Sequence, residues 1–296
     1  MTALKSLTAI NKQIETTQGR ISTGLRVNDA SDNAAYWSIA TTMKSDNKAL
    51  GTVQDALGLG ASKVDVAYTG MASAIDVVDE IKSKLVAAKE PSADKAKLQS
   101  EIGELQNQLT SIAESASFNG ENWLSVDSSA ATYSATKSVV ASFSRASDGT
   151  VSVSTIDVDI TTTELFDAND QSGILDSTFT TTGGGAVTVS VSDLDITAAN
   201  IDDTDLDEMI SAVDTAFSSM TDAAATLGSA SKRIDMQSEF VNNLMDAVDR
   251  GVGQLIDANM EEESTRLQAL QTQQQLGIQS LSIANSSAQS ILSLFR

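Results

Sequence analysis

The chain has 296 residues, a formal net charge of −21 at pH 7, and neither cysteine nor histidine. This charge disfavours nucleic acid and anionic lipid as partners, because their phosphates would be repelled. Without imidazole or thiol groups the usual zinc and haem ligands, thiol nucleophiles and histidine bases are excluded, and no apolar run reaches the ~18 residues of a membrane span.

The first 25 residues predict a short amphipathic helix, not a cleaved secretory signal. Apolar positions alternate at spacings of three and four, and polar Asn11 and Gln18 within the stripe favour one register. Gly24 interrupts this pattern. The turn and cap residues of 28–33 then predict a non-helical link.

A heptad series over residues 43–88 predicts one long helix. It is formed by Met43, Leu50, Leu57, Val64, Met71, Val78 and Leu85. A companion series three positions further on consists mostly of small residues, which allow a partner to approach closely. A matching series near the other end consists of Leu206, Val213, Met220, Leu227, Ile234, Val241 and Val248. Together they predict a long antiparallel coiled-coil-like bundle made from both chain ends.

The region between the two heptad series begins with a shorter helix. Pro91 ends the long helix, and Ser92 is predicted to cap a helix over 98–112 that folds back. Phe118-Asn119-Gly120 predicts a tight turn. Residues 126–200 alternate with period two at 151–154, 156–160 and 187–191, and they carry ten acids against two bases. We expect a small acidic β insertion at the far end of the bundle, with disorder as the alternative.

The C-terminal part of the chain has the same order of predicted segments as the N-terminal part, counted from its end. The heptads lose phase between Val252 and Met260 and then restart through to Phe295, with Gln274 in the seam. Each end of the chain therefore has a terminal amphipathic helix, an interruption and a longer helix. The fold class predicted is mainly α with a small β insertion.

No residue pattern in the sequence predicts an active site, a metal site or a cofactor site. Three Ser-x-x-Lys matches lack the companion elements of that enzyme class. The acids at 202, 203, 205 and 207 lack the offsets of a calcium loop and are interpreted as helix-start acids on a solvated face, as is the run 167–170. Glu261–Glu263 is interpreted as a solvated face or an interhelical pairing site for Arg250 or Arg266. We predict that the chain is not an enzyme.

The apolar stripes of the two terminal helices have no long partner predicted within the chain. We therefore expect other copies of the chain to bury them, as is typical of a polymer subunit. The predicted self-assembly residues are Leu4, Leu7, Ile14, Ile21, Leu25, Leu267, Leu270, Leu281, Ile291, Leu292, Leu294 and Phe295.

Several separate motifs then resemble one family. Residues 20–28 (RISTGLRVN) and 30–35 (ASDNAA) resemble the N-terminal signature of bacterial flagellin, and 118–120 its turn after the second helix. Residues 282–285 and 291–296 resemble the family's C-terminus. Residues 36–43 and 267–276 resemble the alphaproteobacterial, rhizobium-type branch. The resemblance covers about 1–125 and 200–296.

The resemblance implies a filament subunit that is exported through the flagellar type III apparatus with a chaperone and polymerises extracellularly. Its partners would be copies of itself, sister flagellins, the filament cap and hook-junction proteins. Residues 1–33 and 257–296 would form the inner core, 34–125 and 201–256 the surrounding bundle, and 126–200 the variable outer domain. A hook–filament junction protein is the alternative, and a surface carbohydrate-binding protein a weaker one.

Two departures from the family pattern carry expectations of their own. The chain begins about ten residues later than the family's usual lead, so part of the first helix is expected to be missing. Ser83 stands where the segment read by the animal flagellin receptor carries arginine. We therefore expect weak or no activation of that receptor.

Overall fold

Five helices account for most of the chain in the computed structural model, which describes the backbone of residues 2–294 and the side chains of residues 4–283. They are α1 (Thr2–Thr23), α2 (Ala34–Ala88), α3 (Lys95–Ser115), α4 (Asp203–Ile256) and α5 (Met260–Leu294). The chain divides into unit 1, residues 1–49 and 243–296, and unit 2, residues 50–242. The boundary between these units falls inside α2 and α4.

The ends of the helices follow local chemistry. Asn33 caps α2, because its Oδ1 accepts a hydrogen bond from the Tyr36 amide at 3.1 Å. The end of α2 before Pro91 is confirmed. The prediction that Ser92 caps the next helix is wrong, since the Asp94 side chain accepts from the Lys97 amide and occupies the N-cap of α3. The Ala93 amide bonds the Glu90 carbonyl, so Pro91 and Ser92 are the central residues of a turn.

In unit 2, α2 and α4 run antiparallel. Lys82 pairs with Asp214 and Lys89 with Asp207, while Gln54 Nε2 donates to Ser238 Oγ at 2.6 Å. As the residue number rises along α2, the number of its partner on α4 falls, so the antiparallel bundle is confirmed. Helix α3 folds back on α2, because Lys84 pairs with Glu101.

The core of unit 2 is formed by the heptad positions. The members of both series that lie in this unit are all buried: Leu50, Leu57, Val64, Met71, Val78, Leu85, Leu206, Val213, Met220, Leu227, Ile234 and Val241. The companion positions Ala67, Ala74, Ala216 and Ala223 are buried beside them. Ile102 and Leu109 of α3 complete the core, which removes a large apolar area from water.

Residues 117–189 contain eight strands within the described chain: β1 (Ser117–Phe118), β2 (Glu121–Asn122), β3 (Ser125–Val126), β4 (Thr136–Arg145), β5 (Val151–Asp159), β6 (Phe166–Asp167), β7 (Phe179–Thr180) and β8 (Thr188–Val189). They form four two-stranded sheets, of which only β3–β6 is parallel. The Asn-Gly turn is confirmed between β1 and β2, where Asn119 has φ 51° and Gly120 φ 79°. The long β4–β5 hairpin turns at Asp148-Gly149, and β4 was not among the predicted strands.

The position of the β4–β5 hairpin differs from the expectation. A Cβ atom placed on Gly60 of α2 would lie 2.2 Å from Val139 Cγ1, and Gln237 Nε2 of α4 donates to the Ala141 carbonyl at 2.9 Å. The hairpin therefore lies alongside α2 and α4, and the prediction that the whole segment stands at the far end of the bundle is wrong. The buried face of the hairpin, with Ile156 and Val158, explains this placement.

An ion triad joins the hairpin to the bundle. Glu121 accepts from the ammonium groups of both Lys63 and Lys137. Partial burial alone would raise the pKa of Glu121, but the two ammonium groups outweigh it and lower the pKa to about 2. The carboxylate therefore stays charged at any pH near neutral.

Two acids predicted to lie on solvated faces are buried instead. Asp167 accepts hydrogen bonds from the amides of Ser128 and Asn169, and these bonds overcome its burial and hold its pKa well below the usual range. Asp205 Oδ2 accepts from the amides of Gly185 and Asp202. Hydrogen bonds from the Thr181 side chain and these backbone amides lower its pKa to about 2. Both carboxylates cap loops, because they accept hydrogen bonds from backbone amides that would otherwise be buried without a partner.

Candidate self-association surface in the terminal unit

Helices α1 and α5 pack against each other in unit 1. Asn11 Oδ1 accepts a hydrogen bond from Gln274 Nε2 at 2.7 Å, and a Cβ atom placed on Gly277 would lie 3.4 Å from Leu7 Cδ1. Together with the Arg20–Glu263 pair, these contacts make the two helices antiparallel. Asn11 and Gln274 are the polar residues that interrupt the two predicted stripes, and their mutual bond would fix the register.

This pairing corrects one premise of the sequence analysis. The terminal stripes do have a partner within the chain, because α1 and α5 contact each other. The helices nevertheless cover their stripes incompletely. Among the predicted self-assembly residues, Leu270 is buried and Leu4 is 62% exposed, while six others are half-buried. These half-buried residues are Leu7, Ile14, Ile21, Leu25, Leu267 and Leu281. The side chains of Ile291, Leu292, Leu294 and Phe295 lie outside the described residues.

A charge network crosses between the two terminal helices. Glu263 Oε1 accepts from Arg20 Nη1 at 3.1 Å and from Arg266 Nη1 at 3.0 Å, and the Glu263 side chain is only 7% exposed. Glu262 pairs with Arg266 on the exposed side. The predicted interhelical pairing is present, but its partner is Arg20 of α1 and not Arg250 or Arg266, since Arg266 pairs with Glu262 and Glu263 within α5. The solvated face is wrong for Glu263. Arg20 was missed, because no spacing rule joins residues 243 positions apart.

Replacing Glu263→Gln is expected to lower the free energy of unfolding of unit 1 by about 1–2 kcal/mol. The substitution would leave two arginines facing a neutral amide beside a buried seam. Urea unfolding of the monomer, followed by circular dichroism, measures this loss. Glu262→Gln is the matched control, because it neutralises an adjacent carboxylate whose side chain is 62% exposed. Equal losses in the two variants would contradict a special role for Glu263.

The non-helical link between α1 and α2 is hydrogen-bonded to the link between α4 and α5. The Ala258 amide donates to the Gly24 carbonyl, and the amides of Arg26 and Val27 both reach the Ile256 carbonyl. Gly24 has φ 72°, which a residue with a side chain adopts only with strain. In the same link the Ser31 hydroxyl and amide bond Asp29 and lower its pKa. The interruptions predicted at both ends of the chain thus form one structure.

A small apolar cluster lies beside these links. Its buried members are Val27, Ala40, Val252 and Ile256, with Leu25, Met43, Val248 and Leu255 packed against them. Met43 and Val248, predicted as core of the long bundle, are half-buried here. Val27 and Ile256 were missed, because they flank the non-helical links where no helical period can be read.

Unit 1 also exposes large apolar side chains that the heptad pattern did not include. Leu276, Ile278 and Ile283 of α5 are 58%, 54% and 66% exposed. An open groove of about 690 Å³ runs between α1 and α5, lined in part by Lys12, Arg20 and Leu270. Several exposed apolar side chains on one helix favour an association surface at α5. The signal in the sequence was that α5 is apolar on more than one face.

The two units differ greatly in charge. Unit 1 contains nine Lys and Arg against ten Asp and Glu, a net charge of −1. Unit 2 contains ten against thirty, a net charge of −20. Like charges repel at close range, so bringing copies of unit 2 together costs more electrostatic free energy than bringing copies of unit 1 together. No helix within residues 2–294 is long and apolar enough to cross a membrane.

A near-neutral terminal helix pair with exposed apolar residues, joined to an acidic bundle with a β insertion, defines a self-associating helical structural protein. Two family models match the chain, the bacterial flagellin N-terminal helical region over residues 1–129 and the C-terminal helical region over residues 210–295. The chain belongs to the bacterial flagellins and is a structural subunit of the flagellar filament.

Similar proteins agree with this placement. Flagellin C of Rhizobium meliloti strain 1021 is 55% identical over the whole chain and 97% of the relative. Flagellin A of that strain is 47% identical, covering the whole chain and 98% of the relative. A Brucella melitensis flagellin is also 47% identical, over the whole chain and 96% of the relative. The rhizobium-type resemblance is therefore confirmed. A Bacillus cereus flagellin crystal structure matches with a TM-score of 0.41 and 19% identity, over 66% of this chain and 88% of that one.

Proposed function

We propose that the terminal segments of unit 1, residues 1–33 and 257–296, form the inner core of the filament and make the principal contacts between subunits. The observation that carries this proposal is the incomplete burial of α1 and α5, whose exposed apolar residues include Leu4, Leu276 and Ile283. Neighbouring copies would bury these residues and release the water that covers them. The net charge of −1 supports dense packing of this unit, and the −20 of unit 2 supports its outward placement.

The proposed division of the chain is the one that the family resemblance implies. Residues 1–33 and 257–296 would line the channel, 34–125 and 201–256 would surround them, and 126–200 would face outward. Half-buried stripes can pack in more than one discrete way, which would let a helical filament change shape while it transmits torque. We infer that the subunit performs this work by packing alone and catalyses no reaction.

The proposed route to the filament is extracellular assembly after export through the flagellar type III apparatus. Its partners would be an export chaperone, the filament cap, the hook-junction proteins and sister flagellins. A chain without cysteine and with one proline suits passage in an unfolded state, because no disulfide has to form and slow isomerisation is limited to a single X-Pro bond during refolding at the tip.

Seeded polymerisation tests the proposed function. Filament fragments mixed with purified monomer are expected to elongate, as measured by sedimentation and by filament length in electron micrographs. A hook–filament junction protein would complete a ring and stop. Monomer that binds to the fragments without lengthening them would therefore contradict the proposal.

Weak activation of the animal flagellin receptor is a further proposal. Ser83 is exposed on α2, and its neighbours Lys82 and Lys84 are held in ion pairs with Asp214, Glu80 and Glu101. A reporter-cell dose response far weaker than that of an enteric flagellin is expected. A response equal to the enteric protein would refute it.

A further inference from the structure

One exposed face at the start of α2 combines an aromatic side chain with positive charge. Trp37, Thr41 and Lys44 recur at intervals of four and three and therefore share a face of the helix, and all three are exposed. Trp37 is 39% exposed, and we call this the tryptophan face. Within the described residues, Lys44 has no ion-pair partner. Tryptophan is costly to leave in water and is typical of interaction sites.

A second exposed face, on α4 within unit 2, has the complementary character. Met236 and Phe240 are one turn apart and are 56% and 57% exposed. Asp235 and Glu239 run beside them, are exposed, and have no ion-pair partner among the residues the structure describes. We call this the phenylalanine face. It combines an apolar ridge with negative charge, as the tryptophan face combines an aromatic ring with positive charge.

We propose that the tryptophan face of one subunit docks on the phenylalanine face of a second copy, with Lys44 opposite Glu239. The inference rests on the proposed function, which supplies the second copy. Two different patches on each molecule make a head-to-tail contact, and such a contact generates an open helical polymer, whereas one self-complementary patch would stop at a dimer. The opposite charges favour this register and disfavour contact between two copies of the same face.

Charge reversal tests the pairing in full-length protein. Lys44→Glu and Glu239→Lys are each expected to raise the monomer concentration needed for seeded elongation at least about tenfold, because like charges would then meet. The double variant restores the opposite pair and is expected to elongate within about threefold of wild type. Circular dichroism of each monomer checks that the fold is unchanged.

A control separates this contact from an effect of overall charge. Asp222→Lys changes the charge of α4 by the same amount at another exposed position, and it is expected to leave the Lys44→Glu defect uncorrected. Rescue by Glu239→Lys alone supports the pairing. Absence of rescue, or equal rescue by Asp222→Lys, overturns it. Failure of wild-type monomer to elongate would instead overturn the filament function on which the pairing rests.

Cysteine cross-linking gives an independent readout, because the natural chain contains no thiol. Filaments of the Lys44→Cys, Glu239→Cys double variant are expected to form a ladder of dimers and higher multimers on mild oxidation, since each copy carries one half of each contact. Filaments of either single variant are expected to form no ladder. Oxidised filaments of the double variant that run as monomers in denaturing gels would contradict the contact.

Discussion

Deletion of residues 257–296 is expected to abolish polymerisation while leaving unit 2 folded. The deletion removes α5, and with it the partner of α1, the Glu263 network and the exposed residues Leu276, Ile278 and Ile283. The buried heptad residues of unit 2 lie between Leu50 and Val241, within a compact unit that contains none of the deleted residues. Loss of the association surface should therefore spare the bundle.

The measurement combines seeded sedimentation with circular dichroism of the truncated monomer. We expect no pelleted protein at any concentration at which the full chain elongates, together with a cooperative thermal transition for the remaining helices. Full-length protein carried through the same purification is the control. A truncated chain that still elongates seeds would show that α5 is not part of the interface.

Replacement of Gly60→Val is expected to destabilise unit 2 by about 3 kcal/mol, because the new side chain would overlap Val139 in a close-packed interface. The first added atom would already lie 2.2 Å from Val139 Cγ1. Gly58→Val is the matched control, since it lies on the same helix with no atom within 4 Å of an added Cβ. The control is expected to change the stability by less than about 0.5 kcal/mol.

Urea unfolding of the monomers measures both substitutions. If the clash with Val139 is the cause, adding Val139→Ala to Gly60→Val should cost less than the sum of the two single losses. Equal destabilisation by Gly58→Val and Gly60→Val would show that the helix, and not its contact with the hairpin, is sensitive at this point. Additive losses in the double variant would likewise contradict the overlap.

The helical part of the fold could be predicted because its cause is local and periodic. A heptad series such as Leu57, Val64 and Met71 can be read without knowing its partner, and Pro91 and the Asn-Gly turn act on the backbone directly. The function was predicted from the family resemblance, because periodicity alone does not indicate what a helical bundle does.

The remaining features depend on contacts between residues distant in sequence. Strand β4 carries Ser, Thr and Ala at many positions, so its buried face emerges only when it meets α2 and α4. Asp167, Asp205 and Glu263 look like surface acids until the amides and arginines that satisfy them are placed beside them. The pairing of α1 with α5 was missed for a similar reason, since two stripes that can cover each other also suit other copies.

The central claim is that the exposed apolar residues of unit 1 are covered by neighbouring subunits in the filament. A cryo-electron microscopy map of filaments grown from the purified chain measures this directly. We predict that Leu4, Leu276, Ile278 and Ile283 lie against side chains of adjacent copies in the filament's inner wall. A map in which these residues face solvent, with subunits joined only through unit 2, would contradict it.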